Sequence, residues 1–327
     1  MKRAAIEAIE AAYSAEGSDD EWLAAIARTM PRLEHGLGQI CLTYRITDGG
    51  TLVFDDVVQL DTPGDIEAAS RTAMGSMPPE YVQATWASLP CGTALGGGPP
   101  EARARTRAAL ARYYGPFGIR DIVVVNGIDP TQRGIYIGAL TSEEVSLQAK
   151  YRATWSRVAA HLVASYRLRR HEETEPDAVI SAAGKIEHAI EDARSTSARE
   201  ALRAAALSMD RARARRSRLE EREAVEMWHA LVSGRWTLVD RVDRDGRRYF
   251  IARKNDPEVA RHHALTRRER QVVGFAALGH TNKLIAYELG LSVSSVAVYL
   301  DIAMEKLGVS SRAQLIVAAR AFGGGAR

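Results

Sequence analysis

The chain has 327 residues, 46% hydrophobic and 26% charged, which fits a globular protein with a sizeable core and room for two or three domains. A net charge of +3 excludes a polycation, so any affinity for nucleic acid must be local. No run approaches the ~20 apolar residues of a membrane span, and the opening MKRAAIEAIEAA carries Glu7 and Glu10 where a secretion signal needs an unbroken apolar core. A cytoplasmic protein with no membrane partner is expected. Its 2 cysteines, Cys41 and Cys91, have no His or Cys partners at ligand spacing and read as free thiols. No metal and no cofactor are expected.

Residues 4–12 and 19–29 read as helices, the second with Trp22, Leu23 and Ile26 on one side until Pro31 breaks the pattern. Extended runs at 38–46 and 51–60 flank Thr47-Asp48-Gly49-Gly50, a hairpin signal. Helices are expected at 66–74 and 80–87, a Gly- and Pro-rich loop at 92–100, and a helix with arginines spaced along it at 101–113. The run 119–128 (IRDIVVVNGI) is a largely buried strand with 134–140 (GIYIGAL) as its hairpin partner. Residues 146–170 then repeat Leu147, Tyr151, Trp155, Val158, Leu162, Val163 and Tyr166 at helical intervals, predicting one long helix.

Hairpins packed with helices on one sheet, closed by a long exit helix, make residues 1–170 an α+β domain. Their order resembles a GAF-like sensor, which implies an apolar pocket for a small-molecule ligand. Trp86, Cys91, Tyr113, Tyr114 and Phe117 are the candidates to line it; the alternative is that they fill the core. Asp55-Asp56 is similar to the acidic pair of a phosphorylated receiver domain, but no βαβ repeat follows, so ordinary strand-end carboxylates are expected. The close Trp, Tyr and Asp cluster of an acyl-homoserine-lactone pocket is not visible. H-E-x-x-H, G-x-S-x-G, Walker and Rossmann patterns are missing, and His161 and His188 stand alone in contexts that suggest packing or solvation. No catalytic residue is assigned, and an enzyme is not expected.

The charged break HEETEPD, with Pro176, marks a boundary. Beyond it, 177–254 begins with strand, Gly turn and strand at 178–188. A helix follows at 197–223, in which Glu200, Asp210, Glu220, Glu221 and Glu223 are interleaved among the arginines, as on a solvated face rather than a nucleic-acid arm. Met227, Trp228 and Leu231 continue an amphipathic stretch to Gly234. The segment 236–254 is a hairpin around Asp245-Gly246. This order resembles a small PAS-like domain. Asn255-Asp256-Pro257 opens a linker.

Residues 260–327 divide into four short helices. Thr266 and Glu269 form a capping box, Gly279 stops the first helix, and Thr281 and Ser292 cap the second and third, which stop at Gly290 and Gly308. The fourth starts after Ser310 and Ser311. The pair spanning Thr281 to Leu307 fits a helix-turn-helix.

Leu265, Thr266, Arg268 and Glu269, then Gly279, Thr281, Asn282, Lys283, Ile285 and Ala286, then Ser292 and Val296, then Lys306, Leu307, Gly308, Val309 and Arg312 fall in register with one pattern. On these residues the segment resembles the DNA-binding module of LuxR-type transcriptional regulators. The resemblance implies an all-α four-helix module whose third helix enters the major groove of double-stranded DNA. Thr281, Asn282, Lys283, Ser292, Lys306 and Arg312 would then belong to the DNA-binding surface: Lys283, Lys306, the N-terminal arginines and the amides near Ser292 would meet phosphates, with Arg267, Arg270 and Arg312 adding charge, while Ser294, Ser295, Ala297 and Val298 face bases. Ser295, Ala297 and Tyr299 stand where the family usually has Thr, Lys and His. Asp301 should share the outward face with Ala297 and repel phosphates.

The expected whole is an α+β multidomain protein ending in an all-α module. It is a homodimeric transcription regulator in which the long helix at 146–170 carries the interface. The alternative is an interaction or antagonist protein that keeps a degenerate helix-turn-helix as a dimerisation surface.

Overall fold

The structure, a computed structural model, describes residues 4–14, 17–31, 33–47, 49–86, 90–96, 100–170, 176–214, 231–232, 236–242, 248–254 and 265–323. Strand β5 (Arg133–Thr141) is the centre of a five-stranded antiparallel sheet. Its order is β2 (Leu52–Leu60), β1 (Gly36–Ile46), β5, β4 (Asp121–Ile128) and β3 (Cys91–Thr93). Side chains alternate across a strand, and here both faces are buried. Cys41, Val125, Ile135 and Ile137 point to one face; Ile40, Leu42, Tyr44, Ile122, Val124 and Tyr136 point to the other.

The first face carries α1 (Ala4–Ala12), α2 (Asp19–Arg28) and α6 (Ala149–Arg170). A capping box between Ser18 and Glu21 starts α2, and the Trp22 indole Nε1 donates to the Ala12 carbonyl at 2.8 Å, pinning α2 to the end of α1. Gly127 of β4 lets α6 come close: a Cβ there would stand 2.4 Å from the Ala159 carbonyl oxygen. Every residue from Val158 to Tyr166 is buried within the chain. That stretch of the long helix offers no free face to a second copy, contrary to the expectation that it carries a dimer interface. The other face holds α3 (Ile66–Gly75), α4 (Pro79–Thr85) and α5 (Pro100–Ala109).

Three local expectations are corrected. The stretch expected as a Gly/Pro loop begins with β3, paired to β4 at Cys91↔Val125 and Thr93↔Val123. The helix expected to run to residue 113 is α-helical only to Ala109 and continues as a π turn over Leu110–Tyr114. Asp55 and Asp56 lie within β2 rather than at its end. Asp55 is ion-paired to Arg45 and lies 3.9 Å from Arg133, while Asp56 accepts the Thr43 hydroxyl at 2.8 Å.

A second five-stranded antiparallel sheet is ordered β7 (Ile186–Ala189), β6 (Ala178–Ser181), β10 (Arg248–Lys254), β9 (Trp236–Val242) and β8 (Leu231–Val232). Numbered from its own first strand, it repeats the strand order of the first sheet. Helix α7 (Thr196–Ala214) buries Leu202, Ala206 and Met209 in the same cluster as Trp236, Leu238 and Phe250, and this core runs into the α1/α2/α6 face of the first sheet. Leu231, expected in a helix, is in a strand. The 215–223 end of the expected helix, Met227 and Trp228, the Asp245-Gly246 turn and the linker lie outside the described residues.

Candidate nucleic-acid interface and apolar cavity

The C-terminal helices are α8 (Arg267–Ala277), α9 (Asn282–Leu289), α10 (Val293–Leu307) and α11 (Arg312–Gly323). Thr266 and Glu269 cap α8 reciprocally, at 2.8 and 3.3 Å. Glu269 is buried, which alone would raise its carboxyl pKa. Lys306 Nζ donates to both of its oxygens at 2.9 Å and the Thr266 amide adds another bond, so the net shift is downward.

Helices α9 and α10 are turned 105° from one another, inside the ~90–120° range of a helix-turn-helix. Gly290, with φ 60°, makes the left-handed turn between them. Thr281 caps α9 by accepting from the Leu284 amide at 3.3 Å, and Ser292 caps α10 by accepting from the Ser295 amide at 2.9 Å. Phe275, Ile285, Leu289, Val296, Leu300, Ala303 and Leu315 fill the interior.

Outward on α10 the first two turns are uncharged, and the charged residues Asp301, Glu305 and Lys306 follow toward its end. Val293 and Val298 are 50% and 54% exposed, Ser294 and Asp301 are exposed, and Ser295 and Ala297 are half-buried. The five cations expected to grip phosphate divide into two groups. Lys306 is held by Glu269. Arg312 donates to the Asn282 side-chain oxygen at 2.5 Å and to the His280 carbonyl at 2.6 Å, and Arg270 donates to the Leu265 carbonyl at 2.8 Å. These three brace the bundle, and Asn282 is engaged with them; Lys283 and Arg267 stay exposed. The sequence pattern does not show which of these cations is engaged within the bundle, because Glu269, Asn282 and the His280 carbonyl are neighbours of Lys306 and Arg312 only in the folded chain.

Sequence reasoning also missed how α9 meets the rest of the chain. Its Tyr287 hydroxyl lies 2.7 Å from His161 Nε2 on α6, whose Nδ1 is 3.3 Å from the Tyr13 hydroxyl. Arg157 lies over the Tyr287 ring at 5.8 Å. Beside them Glu288 is buried, its carboxyl pushed up to about 7 by burial, with Arg167 opposing and Asp129 adding to the shift. Arg167 itself is 3.6 Å from Asp129.

On the α3/α4/α5 face of the first sheet is a cavity of about 80 Å³. Trp86 and Tyr114 line it, together with Tyr81, Thr106, Asn126 and Tyr136. Cys91 instead points to the opposite face, among the α6 residues. Tyr113 turns outward, its hydroxyl 3.3 Å from Ser76, and Phe117 covers Gly64. The adjacent tyrosines are successive residues of the π turn and point to different sides of it.

Among the described residues no cluster of His, Cys, Asp and Glu has the makings of a metal site. No single described helix is long and apolar enough to cross a membrane.

Residues 263–319 match the family described as bacterial regulatory proteins, luxR family. Over 59 residues the chain is 42% identical to the HTH-type transcriptional activator RamA of Corynebacterium glutamicum, covering 18% of this chain and 21% of that protein. The chain thus spans about a fifth of the length of the curated relative it matches. A crystal structure of Escherichia coli SdiA aligns over 95% of this chain and 94% of its own, at 10% identity and a TM-score of 0.31, too low to carry an argument. The family is thus one of bacterial regulatory proteins, and the curated relative is a transcriptional activator.

Proposed function

We propose that the chain is a DNA-binding transcription regulator rather than an enzyme, acting in the cytoplasm as a homodimer. Residues 1–170 are a GAF-like sensor, 177–254 a PAS-like module and 260–327 the reader of the major groove. The repeated sheet order supports treating the first two as related sensor modules, and the cavity beside Trp86 supports a small-molecule ligand in the first.

The observation that carries the reading is the pair α9 and α10, capped at Thr281 and Ser292, crossing at 105° and leaving Val298 outward. In this reading, Lys283, Arg267 and the amides that open α10 at Ser292 position the phosphates. Ser294, Ser295, Ala297 and Val298 face base edges, with Val298 suited to a thymine methyl. Thr281, Asn282, Lys306 and Arg312 hold that surface in shape.

The test is selection from fragmented genomic DNA by the purified chain across a salt series. Neutralising Z phosphates gives a log-log slope of about −0.9Z. A palindromic site enriched with a slope of several supports a regulator. A flat, weak response, unaffected by replacing Lys283 and Val298 together, would overturn it. The second reading is a protein-interaction module that has lost its grip on DNA. It is favoured by the exposed Asp301 and by the internal engagement of Lys306 and Arg312.

A further inference from the structure

We propose that Asp301 is a base-reading residue that selects cytosine, its carboxylate accepting a hydrogen bond from the N4 amino group a base pair or two from a thymine whose methyl meets Val298. The inference rests on the DNA-binding reading of residues 260–327 and deepens it by naming the sequence class of the operator.

Helical periodicity puts Ser294, Val298, Asp301 and Glu305 in one stripe along α10, because steps of three and four residues return to the same face. All of them are exposed. The hydroxyls at the start of the stripe are already engaged, since Ser294 and Ser295 each place their Oγ 2.8 Å from that of Ser292. Val298 and Asp301 are not. Val298 is 54% exposed, and among the described residues the Asp301 carboxylate has no hydrogen bond or ion pair. Glu305 stands one turn beyond Asp301, and like charges four residues apart weaken a helix. Asp301 therefore slightly destabilises the free module.

A carboxylate accepts hydrogen bonds and cannot donate them, which decides what it can meet in the major groove. Guanine presents only acceptors there, at N7 and O6, and thymine presents the O4 acceptor beside its methyl group. Adenine has a donor at N6, but the N7 acceptor beside it repels a carboxylate. Cytosine offers the N4 donor with no acceptor on its own edge. Arg, Lys, Asn and Gln, the side chains that read purines, do not occur on the stripe.

Spacing links this contact to the one made by Val298. A rise of about 1.5 Å per residue sets Asp301 about 4.5 Å further along the axis, and base pairs stack about 3.4 Å apart. A stripe that lays Val298 against a thymine methyl thus brings Asp301 to a nearby base edge. An exposed carboxylate that only repelled phosphate would instead weaken binding to every sequence alike.

The full chain, as wild type, Asp301→Ala and Asp301→Lys, would be used to select from a pool of random-sequence duplexes at one salt concentration. Wild type should enrich sites with thymine and cytosine within about two base pairs of each other, the cytosine preferred about fivefold or more over every other base. In Asp301→Ala that preference should fall below about twofold while the thymine preference stays. Asp301→Lys should put guanine where wild type selects cytosine, because an ammonium donates to O6 and N7. Position 301 is exposed, so both variants should keep the wild-type melting temperature within a few degrees, which is checked alongside.

The proposal is overturned if the cytosine preference survives in Asp301→Ala, if Asp301→Lys keeps cytosine, or if both variants bind every duplex more tightly with base preferences unchanged. In those cases a site is still enriched, and the regulator reading stands. If the wild-type chain enriches no sequence, that reading falls and the assignment of Asp301 falls with it.

Discussion

The Tyr287 hydroxyl on the first helix of the turn pair stands 2.7 Å from Nε2 of His161, in the middle of the long helix behind the first sheet. A neutral imidazole offers one donor and one acceptor, so His161 can satisfy Tyr13 and Tyr287 together. Tyr287 lies one helical turn from Lys283, on the same face of α9. The segment that covers Tyr287 therefore lies beside the place where a phosphate would meet Lys283. Tyr287→Phe leaves a ring nitrogen of His161 unmet and should weaken docking of α9 by about 1–3 kcal/mol. Faster amide hydrogen exchange in α9 and tighter DNA binding at fixed salt are the expected readouts; unchanged exchange would remove this contact from any role in docking.

Glu288 makes the same contact pH-dependent. Its carboxyl, ordinarily at 4.5, sits at about 7 when buried, with Arg167, Asp129 and Tyr13 as the charged and titratable groups around it. A raised pKa means that the docked form holds the proton more tightly. Its stabilising contribution is complete below the ordinary value and is lost as the pH rises from 4.5 through about 7, by an amount on the order of 3 kcal/mol. Hydrogen exchange of α9 should therefore accelerate between those limits. Glu288→Gln should abolish that dependence and strengthen docking at pH 8.

Lys306 and Glu269 tie the end of α10 to the start of α8. The lowered Glu269 pKa contributes stability above the ordinary carboxylate range, and this is lost as the pH falls through the depressed value. Lys306→Met should cost the bundle about 1–3 kcal/mol at neutral pH. It should also reverse the acid response: without the ammonium, burial dominates Glu269 and protonation becomes favourable. Thermal melts of the full chain from pH 3 to pH 8 would show both effects.

Asp301→Lys replaces an exposed carboxylate on the outward face of α10 with a cation. In a DNA reader it should tighten binding and steepen the log-log salt slope by about 0.9 for one added phosphate contact. No change in affinity or slope would favour the protein-interaction reading.

Much of this architecture is legible in one dimension because it is written in local signals. Thr266 with Glu269, Thr281 with Gly290 and Ser292 with Gly308 mark the helix limits that the structure shows. The unbroken apolar run around Val123 to Val125 signals a strand covered on both sides. What is not legible depends on pairing across distance. Short β3 has no period of its own and exists because β4 lies beside it. Cys91 and Trp86 are close in sequence yet serve opposite faces of one sheet. His161 looks like an isolated polar residue on an apolar helix, because its partners Tyr13 and Tyr287 are 148 and 126 residues away. Lys306 and Arg312 resemble phosphate ligands for the same reason, since Glu269 and Asn282 are neighbours only once the bundle closes.

The seat of α9 on α6 also changes what an affinity measured on the whole chain means. In the proposed reading, a duplex and the chain's own long helix would compete for neighbouring ground on the same short helix, one as a dissolved partner and the other permanently at hand. If nine molecules in ten are docked at a given moment, the apparent dissociation constant for DNA is about tenfold weaker than that of the free module, with no groove contact altered. Regulation can then operate on an occupancy: an event far from the duplex that shifts the docked fraction rescales every operator by one common factor and leaves the ranking among them intact.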